Sequence, residues 1–223
     1  KMKIFKLKSD LRSYLYDIKD GKTIAFIPTM GSLHQGHISL IESAIFDCDI
    51  VICSIFVNPL QFNDSNDFFQ YPRPIEDDIT KLQSINCDIL YCPDESDLSL
   101  ENEERKYFDF NGLDNYMEGV YRKDHFQGVA TIVVKLFEIV SPDKAFFGQK
   151  DLQQLQIIKH ITKTLDLDVQ IVSVPTVRTN LGLALSSRHK HLSSKALEEA
   201  SIIYDSLEYV KDNHKRLSIN DLK

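Results

Sequence analysis

His34 and His37 stand three residues apart in the decapeptide PTMGSLHQGH (residues 28–37), with Gly31 and Gly36 among them. Imidazoles at that spacing can face one ligand, and the glycines allow positive φ or close backbone approach. A helix beginning at Gly36 would add unpaired N–H groups, which favour an anion. Lys150, between Gly148–Gln149 and Asp151, adds a cation near a second predicted helix start, where it opposes the helix dipole and so points to a bound anion. The segment LSSRHK (185–190) adds Ser186, Ser187 and Arg188 after Leu185, and with Gly182 it suits a phosphate-wrapping loop.

These residues need elements to position them. Residues 23–27 are apolar and β-branched, and Ile38, Leu40, Ile41, Ala44 and Ile45 recur at helical spacing over 36–46, so the histidines fall on a strand-to-helix turn. Ser9 is expected to cap a helix through Lys19, with Leu11, Leu15 and Ile18 inward. Residues 49–57 are apolar at nearly every position, as in a strand covered on both faces. A turn-rich stretch (58–67), a helix (76–85), a short strand (88–92) and a long buried helix (126–140) follow. A strand (144–147), a helix (149–165) and a strand (169–174) close the alternation. That pattern predicts an α/β protein, a Rossmann-like doubly wound parallel sheet over residues 1–175. A boundary near Pro175 would leave residues 176–223 as a smaller C-terminal α/β part, with one amphipathic helix from Ser193 to about Asn213.

In such sheets ligands bind beyond the carboxyl ends of the strands. That rule gathers Thr29, Met30, His34 and His37, then Asn58 and Gln61, then Gly148, Lys150 and Asp151, and finally Val177 and residues 185–190. The set holds cations, amides and hydroxyls without a nucleophile placed beside a base, a composition that holds charge. Plainer readings exist for each member. Either histidine alone serves as a helix cap, Lys150 as a solvated charge, Gln61 as a turn amide and Gln154 as an exposed helix residue. His125 reads as structural. Asp77 and Asp78 read as a solvated helix face, with magnesium binding as the alternative.

The 223 residues, 43% hydrophobic and 26% charged, describe an ordinary globular chain without an apolar run long enough for a bilayer. A formal charge of -7 and the absence of a Lys/Arg block speak against a nucleic-acid surface while leaving room for a local phosphate pocket. The start at Lys1 and Met2 lacks the order of a secretory signal, which predicts the cytoplasm. Cys48, Cys53, Cys87 and Cys92 form two CxxxxC pairs within strand-like runs, unlike zinc spacing, and are expected as reduced thiols. No third ligand stands at a convincing spacing from the histidine pair, so no metal site is expected there.

Six stretches resemble, in order and spacing, the successive signatures of the pantothenate synthetase (pantoate beta-alanine ligase) family of the HIGH-type nucleotidylyltransferase superfamily. They are PTMGSLHQGH, SIFVNPLQF, YPR at 71–73, HFQGVAT, KLFEIVSPDKAFFGQKDLQQL and VPTVRTNLGLALSSR, and they run from about residue 23 to 192. The resemblance implies ATP-dependent condensation of pantoate with β-alanine through a pantoyl adenylate, releasing pyrophosphate and then AMP. Reaction at phosphorus of this kind needs alignment and charge neutralisation more than covalent help.

Carried over position by position, Met30, Gly31, Ser32, Leu33, His34, Gln35, Gly36 and His37 would line the nucleotide, with both histidines on phosphate and His37 as proton donor. Lys150 would grip phosphates, with Gly148, Gln149 and Asp151 beside it, and Val177, Leu185, Ser186, Ser187 and Arg188 would complete the ATP site. Gln61 and Gln154 would orient pantoate, with Asn58, Tyr71 and Arg122 at the acyl and amine end. Mg²⁺ is implied by the triphosphate without an assigned ligand, and a homodimer by the family.

Gln149, Gln127 and His189 depart from the acidic residue, arginine and asparagine usual at these places. The chain also stops at Lys223, earlier than the resemblance implies, so either an incomplete lid or a naturally compact chain is expected. Another HxGH adenylyltransferase and a nucleotide sensor without turnover are the competing readings. Gln61 and Gln154 argue against the first, and the intact set of His34, His37, Lys150 and Arg188 against the second.

Overall fold

A computed structural model describes residues 1–98 and 107–222. Six strands form one all-parallel sheet in the order β1-β4-β3-β2-β5-β6. They are β1 (Lys3–Phe5), β2 (Ile24–Thr29), β3 (Ile50–Ile55), β4 (Ile89–Tyr91), β5 (Lys144–Gly148) and β6 (Gln170–Val174). Every residue of β3 is buried, which accounts for its unbroken apolar run.

Alternate residues of β2 face opposite layers. Ile24 and Phe26 pack with Leu11 and Leu15 of α1 (Lys8–Ile18), with Val133 and Phe137 of α6 (His125–Val140), and with Leu155 and Ile158 of α7 (Leu152–Thr164). Ala25 and Ile27 pack instead with Leu40, Ile41 and Ala44 of α2 (Gln35–Asp47) and with Leu82 of α4 (Ile75–Ser84). The chain order reverses between β2 and β5, adjacent strands inside the sheet. Their carboxyl ends therefore open the crevice in which doubly wound sheets take ligands.

The structure corrects several local expectations. Ser9 lies inside α1: Leu7 occupies the cap position, and the Lys8 N–H goes to Asp97 Oδ2 at 2.9 Å instead of to a local hydroxyl. Beyond the turn-rich stretch, a 3₁₀ turn (Pro59–Gln61) leads to a short helix, α3 (Ser65–Gln70), capped by Asp64. The expected helix over 149–165 begins as a 3₁₀ turn (Gln149–Asp151) before α7. A further short helix, α5 (Met117–Tyr121), precedes α6.

After β6 the chain leaves the sheet. Arg178 and Ala184 form an isolated antiparallel bridge, and Ser187–His191 form a 3₁₀ turn. The single helix expected from Ser193 is two, α8 (Ser194–Glu199) and α9 (Ile202–Asn213). At the break Ser201, Ile203 and Tyr204 bond three residues back, and the Tyr204 ring lies 4.6 Å from the Arg178 guanidinium. A break that turns this ring onto Arg178 carries no signature in hydrophobic periodicity. No described helix is long and apolar enough to cross a membrane.

Candidate active site

His34 caps α2 from an extended backbone, and its ring folds back so that Nδ1 accepts the Gly36 N–H at 3.1 Å. A side chain at residue 36 would collide with that ring, since a Cβ there would stand 2.9 Å from His34 Cε1. The glycine of HxGH is thus required by the fold of the first histidine. His37, one turn along, accepts the His34 N–H on its own Nδ1 at 3.2 Å, and the two rings lie 4.1 Å apart, centroid to centroid.

An Nδ1 that accepts a hydrogen bond carries no proton, so each neutral ring bears its proton on Nε2. Burial and the Lys150 charge hold the His34 pKa down, to about 4. Burial, then His34 itself and Lys150, take His37 to about 3. At neutral pH the pair is therefore two uncharged N–H donors beside a cation, an arrangement that attracts an anion without placing a second positive charge next to Lys150.

Lys150 reaches the cleft from the 3₁₀ turn after β5, and Gln154 follows one turn later on α7. The opposite wall comes from Ser186, Ser187 and Arg188, where Ser187 Oγ donates to the Ser32 carbonyl at 3.0 Å. Arg188 donates twice to the Asp67 carboxylate on α3, at 2.8 and 3.2 Å, and its guanidinium lies 5.8 Å from the Tyr71 ring. Tyr71 is buried, which raises its pKa.

Gln61 closes the inner end. Its amide is fixed by two contacts, Oε1 accepting from Asn58 at 3.1 Å and Nε2 donating to Met30 sulfur at 2.9 Å. Behind it a second, more apolar space is walled by Val129, Val133, Phe146 and Phe147 and shared with Gln154 and Asn58.

The sequence-predicted residues thus fall into three groups. His34, His37, Met30, Gln61, Tyr71, Arg122, Lys150, Asp151, Gln154, Ser186, Ser187 and Arg188 line one cleft. Gly31, Ser32 and Leu33 serve through backbone: Leu33 and Ser32 are buried. Gly148 lines the apolar space, Gln35 and Gln149 are exposed at their turns, and Leu185 packs near Gly36 while its N–H is held by the Val177 carbonyl at 3.0 Å. Asn58, only 1% exposed, stands behind Gln61 and also ties to the Gly128 carbonyl at 3.0 Å.

Four contributors escape sequence reasoning, among them Asp67, the partner of Arg188. His125, which reads as structural, also lines the cleft: its Nδ1 meets the Gln61 carbonyl at 2.8 Å, and burial lowers its pKa. Glu118 pairs with Arg122 at 2.8 Å, and Arg122 also reaches the Gln61 carbonyl. Asp78 is buried, contrary to the solvated face expected for the Asp77–Asp78 pair, and it binds the loop before His34. Glu118 and Asp67 lie in the short helices that periodicity does not reveal.

A family model described as pantoate-beta-alanine ligase matches residues 3–223. The chain belongs to the pantoate-beta-alanine ligase family. Relatives named pantothenate synthetase from Christiangramia forsetii and Carboxydothermus hydrogenoformans are each 46% identical, over 93% and 92% of this chain and 74% and 73% of their own length. The Thermus thermophilus pantothenate synthetase structure superposes with a TM-score of 0.90 at 38% identity, covering 96% of this chain and 76% of that one. A Francisella tularensis pantoate-beta-alanine ligase, solved in complex with beta-gamma ATP and beta-alanine, superposes with a TM-score of 0.88 at 40% identity over 93% of this chain and 80% of its own. The family's Rossmann-like α/β fold is the one described above.

Proposed function

We propose that this chain carries out the reaction of its family, the ATP-dependent condensation of pantoate with β-alanine, with pantoyl adenylate formed in the cleft between α2 and the Ser186–Arg188 segment. A pantoate carboxylate oxygen attacks the α-phosphorus of ATP, and the bond to the bridging oxygen breaks to release pyrophosphate. The β-alanine amine then attacks the acyl carbon. AMP leaves with the bonding electrons, and the amine gives up a proton.

One observation carries the reading: two neutral imidazole donors, Lys150 and Arg188 share a cleft with Gln61 and Gln154, so charge-neutralising groups and amide groups meet in one space. His34 and His37 would donate from Nε2 to phosphate oxygens and Lys150 would balance the charge that develops as pyrophosphate departs. Gln61 and Gln154 would hold pantoate, since an amide accepts from a hydroxyl and donates to a carboxylate. The apolar wall of Val129, Val133 and Phe146 suits the hydrocarbon part of that substrate. The F. tularensis complex with beta-gamma ATP and beta-alanine supports the same ligands here.

Among the described residues no group of three His, Cys, Asp or Glu is placed to hold a metal ion. Magnesium would enter with the triphosphate, where it would offset phosphate charge. In this reading residues 1–175 bind the substrates and residues 176–223 form part of a lid. A homodimer in the cytoplasm completes the proposal, with sedimentation as the test of assembly.

The deciding assay supplies ATP, Mg²⁺, pantoate and β-alanine and follows products by mass spectrometry. Pantothenate and AMP in equal amounts are expected. Folded protein that binds ATP and yields neither product would refute the assignment, while AMP transfer to another acceptor alone would favour a different adenylyltransferase.

A further inference from the structure

Asp78 and Lys81 lie one turn apart on α4 and grip the loop that leads into His34. The Asp78 carboxylate is 1% exposed; Oδ2 accepts the Ser32 N–H and Oδ1 the Leu33 N–H, both at 2.7 Å. Lys81 Nζ donates to the Leu33 carbonyl at 2.8 Å. Three charge-assisted bonds thus hold two consecutive residues.

The loop needs that restraint. Gly31 and Ser32 are both left-handed, with φ of 77° and 51°, a conformation that serine holds only when its surroundings dictate it. A Cβ on Gly31 would stand 2.9 Å from Ile55 Cγ2 and 3.1 Å from Asp78 Oδ2, so the carboxylate lies directly against the loop.

The grip reaches both halves of the cleft. A peptide group is planar, so fixing the Leu33 N–H toward Asp78 turns the Ser32 carbonyl the opposite way. That carbonyl is the acceptor for Ser187 Oγ, next to Arg188. On the other side, Leu33 is followed directly by His34, the cap of α2. One buried carboxylate therefore sets where the histidine pair and the Ser187–Arg188 segment stand relative to each other.

We propose that Asp78, with Lys81, is a positioning residue for adenylate formation: it fixes residues 31–33 so that His34, His37 and Arg188 converge on one nucleotide. Both its oxygens are occupied by backbone, so it acts through the loop and does not touch substrate. At the other end of the cleft Gln61 Oε1 is held by Asn58, outside this loop. The inference rests on the proposed adenylation reaction.

The test separates the two chemical steps. Pantoate-dependent exchange of pyrophosphate into ATP reports the first step, and β-alanine reacting with supplied pantoyl adenylate reports the second. Asp78→Asn keeps the shape but sets an NH₂ against a loop N–H. Its exchange kcat is expected to fall about tenfold to a hundredfold, the range for misaligned phosphate donors. The second step and the KM for pantoate should move far less. Lys81→Met should shift exchange in the same direction, and Lys81→Arg should restore it.

Folded Asp78→Asn with exchange within about twofold of the parent, or with both steps reduced by one common factor, would overturn the proposal. If Asp78→Asn does not fold, the same two readings on Lys81→Met decide. A parent protein that neither exchanges pyrophosphate nor makes pantothenate fails the functional reading itself, a result distinct from a competent parent with an indifferent variant.

Discussion

His37 Nδ1 accepts the backbone N–H of His34, and that one bond at 3.2 Å settles which face of each ring can meet a ligand. With His34 Nδ1 turned to Gly36, both rings keep their protons on Nε2. Protonating either ring requires a backbone N–H to lose its acceptor, in a buried site already facing Lys150. The pair should therefore stay neutral across the physiological range. Histidine-resolved NMR is expected to show His34 titrating near 4 and His37 near 3, and a midpoint above 6 for either would contradict the arrangement.

The sign of the linked stability follows. Both folded pKa values lie below the ordinary value of 6.5, so between about 3 and 6.5 the unfolded chain binds more protons than the folded one. Stability from these rings is complete above pH 6.5 and declines as pH falls through that window. Replacing both by Gln, which cannot charge, should flatten the acid side of a Tm-against-pH curve. An unchanged slope between pH 4 and 6.5 would show that the rings are not held neutral.

Lys150→Ala joins two readouts. Loss of one preorganised charge at the phosphates should slow adenylate formation by about a hundredfold or more. Because the Lys150 charge also helps depress both imidazoles, the same variant should raise the His34 and His37 midpoints. A slow enzyme with unmoved histidine titrations would place Lys150 away from the pair.

Much of this site is legible in the chain, and the exceptions share a cause. The strand before the histidines comes from an unbroken apolar, β-branched run, and the helices over 126–140 and 152–164 from long apolar or periodic ones, whose burial tertiary packing has no reason to override. HxGH is readable because its geometry is local: ring, glycine and cap lie within four residues. Asp97 capping α1 across 89 residues and Asp78 gripping a loop 45 residues upstream are not local, and a carboxylate on a predicted helix gives no sign of which distant N–H it meets. β1 spans three residues, Lys3–Phe5, too short for alternation to register. Helices α3 and α5 are likewise one to two turns long, and they carry the Asp67 and Glu118 contacts that sequence reading passes over.

Asn58 fixes the amide of Gln61, which is proposed to hold pantoate. Its Nδ2 donates to Gln61 Oε1 and to the Gly128 carbonyl, and its Oδ1 accepts the Leu60 N–H at 3.1 Å. Asn58→Ala leaves buried partners unsatisfied, at a cost of about 1–3 kcal/mol each, and frees the Gln61 amide to turn. The variant should melt several degrees lower and raise the KM for pantoate while leaving the KM for ATP near the parent value. Equal shifts in both constants would point to general loosening instead of a role through Gln61.

Arg188 is bonded to Asp67 by two contacts, so a guanidinium proposed for phosphate already has an anionic partner on α3. To reach the triphosphate it must leave or share that carboxylate. Both side chains are more than one-third exposed, and ion pairs of that kind contribute about 1 kcal/mol or less. Asp67→Asn removes the competing charge while keeping the shape. The expected result is a KM for ATP about two- to fivefold lower, with the KM for pantoate unchanged, and Arg188→Lys in the same background should reverse the gain, because lysine lacks the two-pronged donor. An increased KM for ATP in Asp67→Asn would mean that the carboxylate holds Arg188 in its working position, and the pair would then be part of the assembled site and not a brake on it.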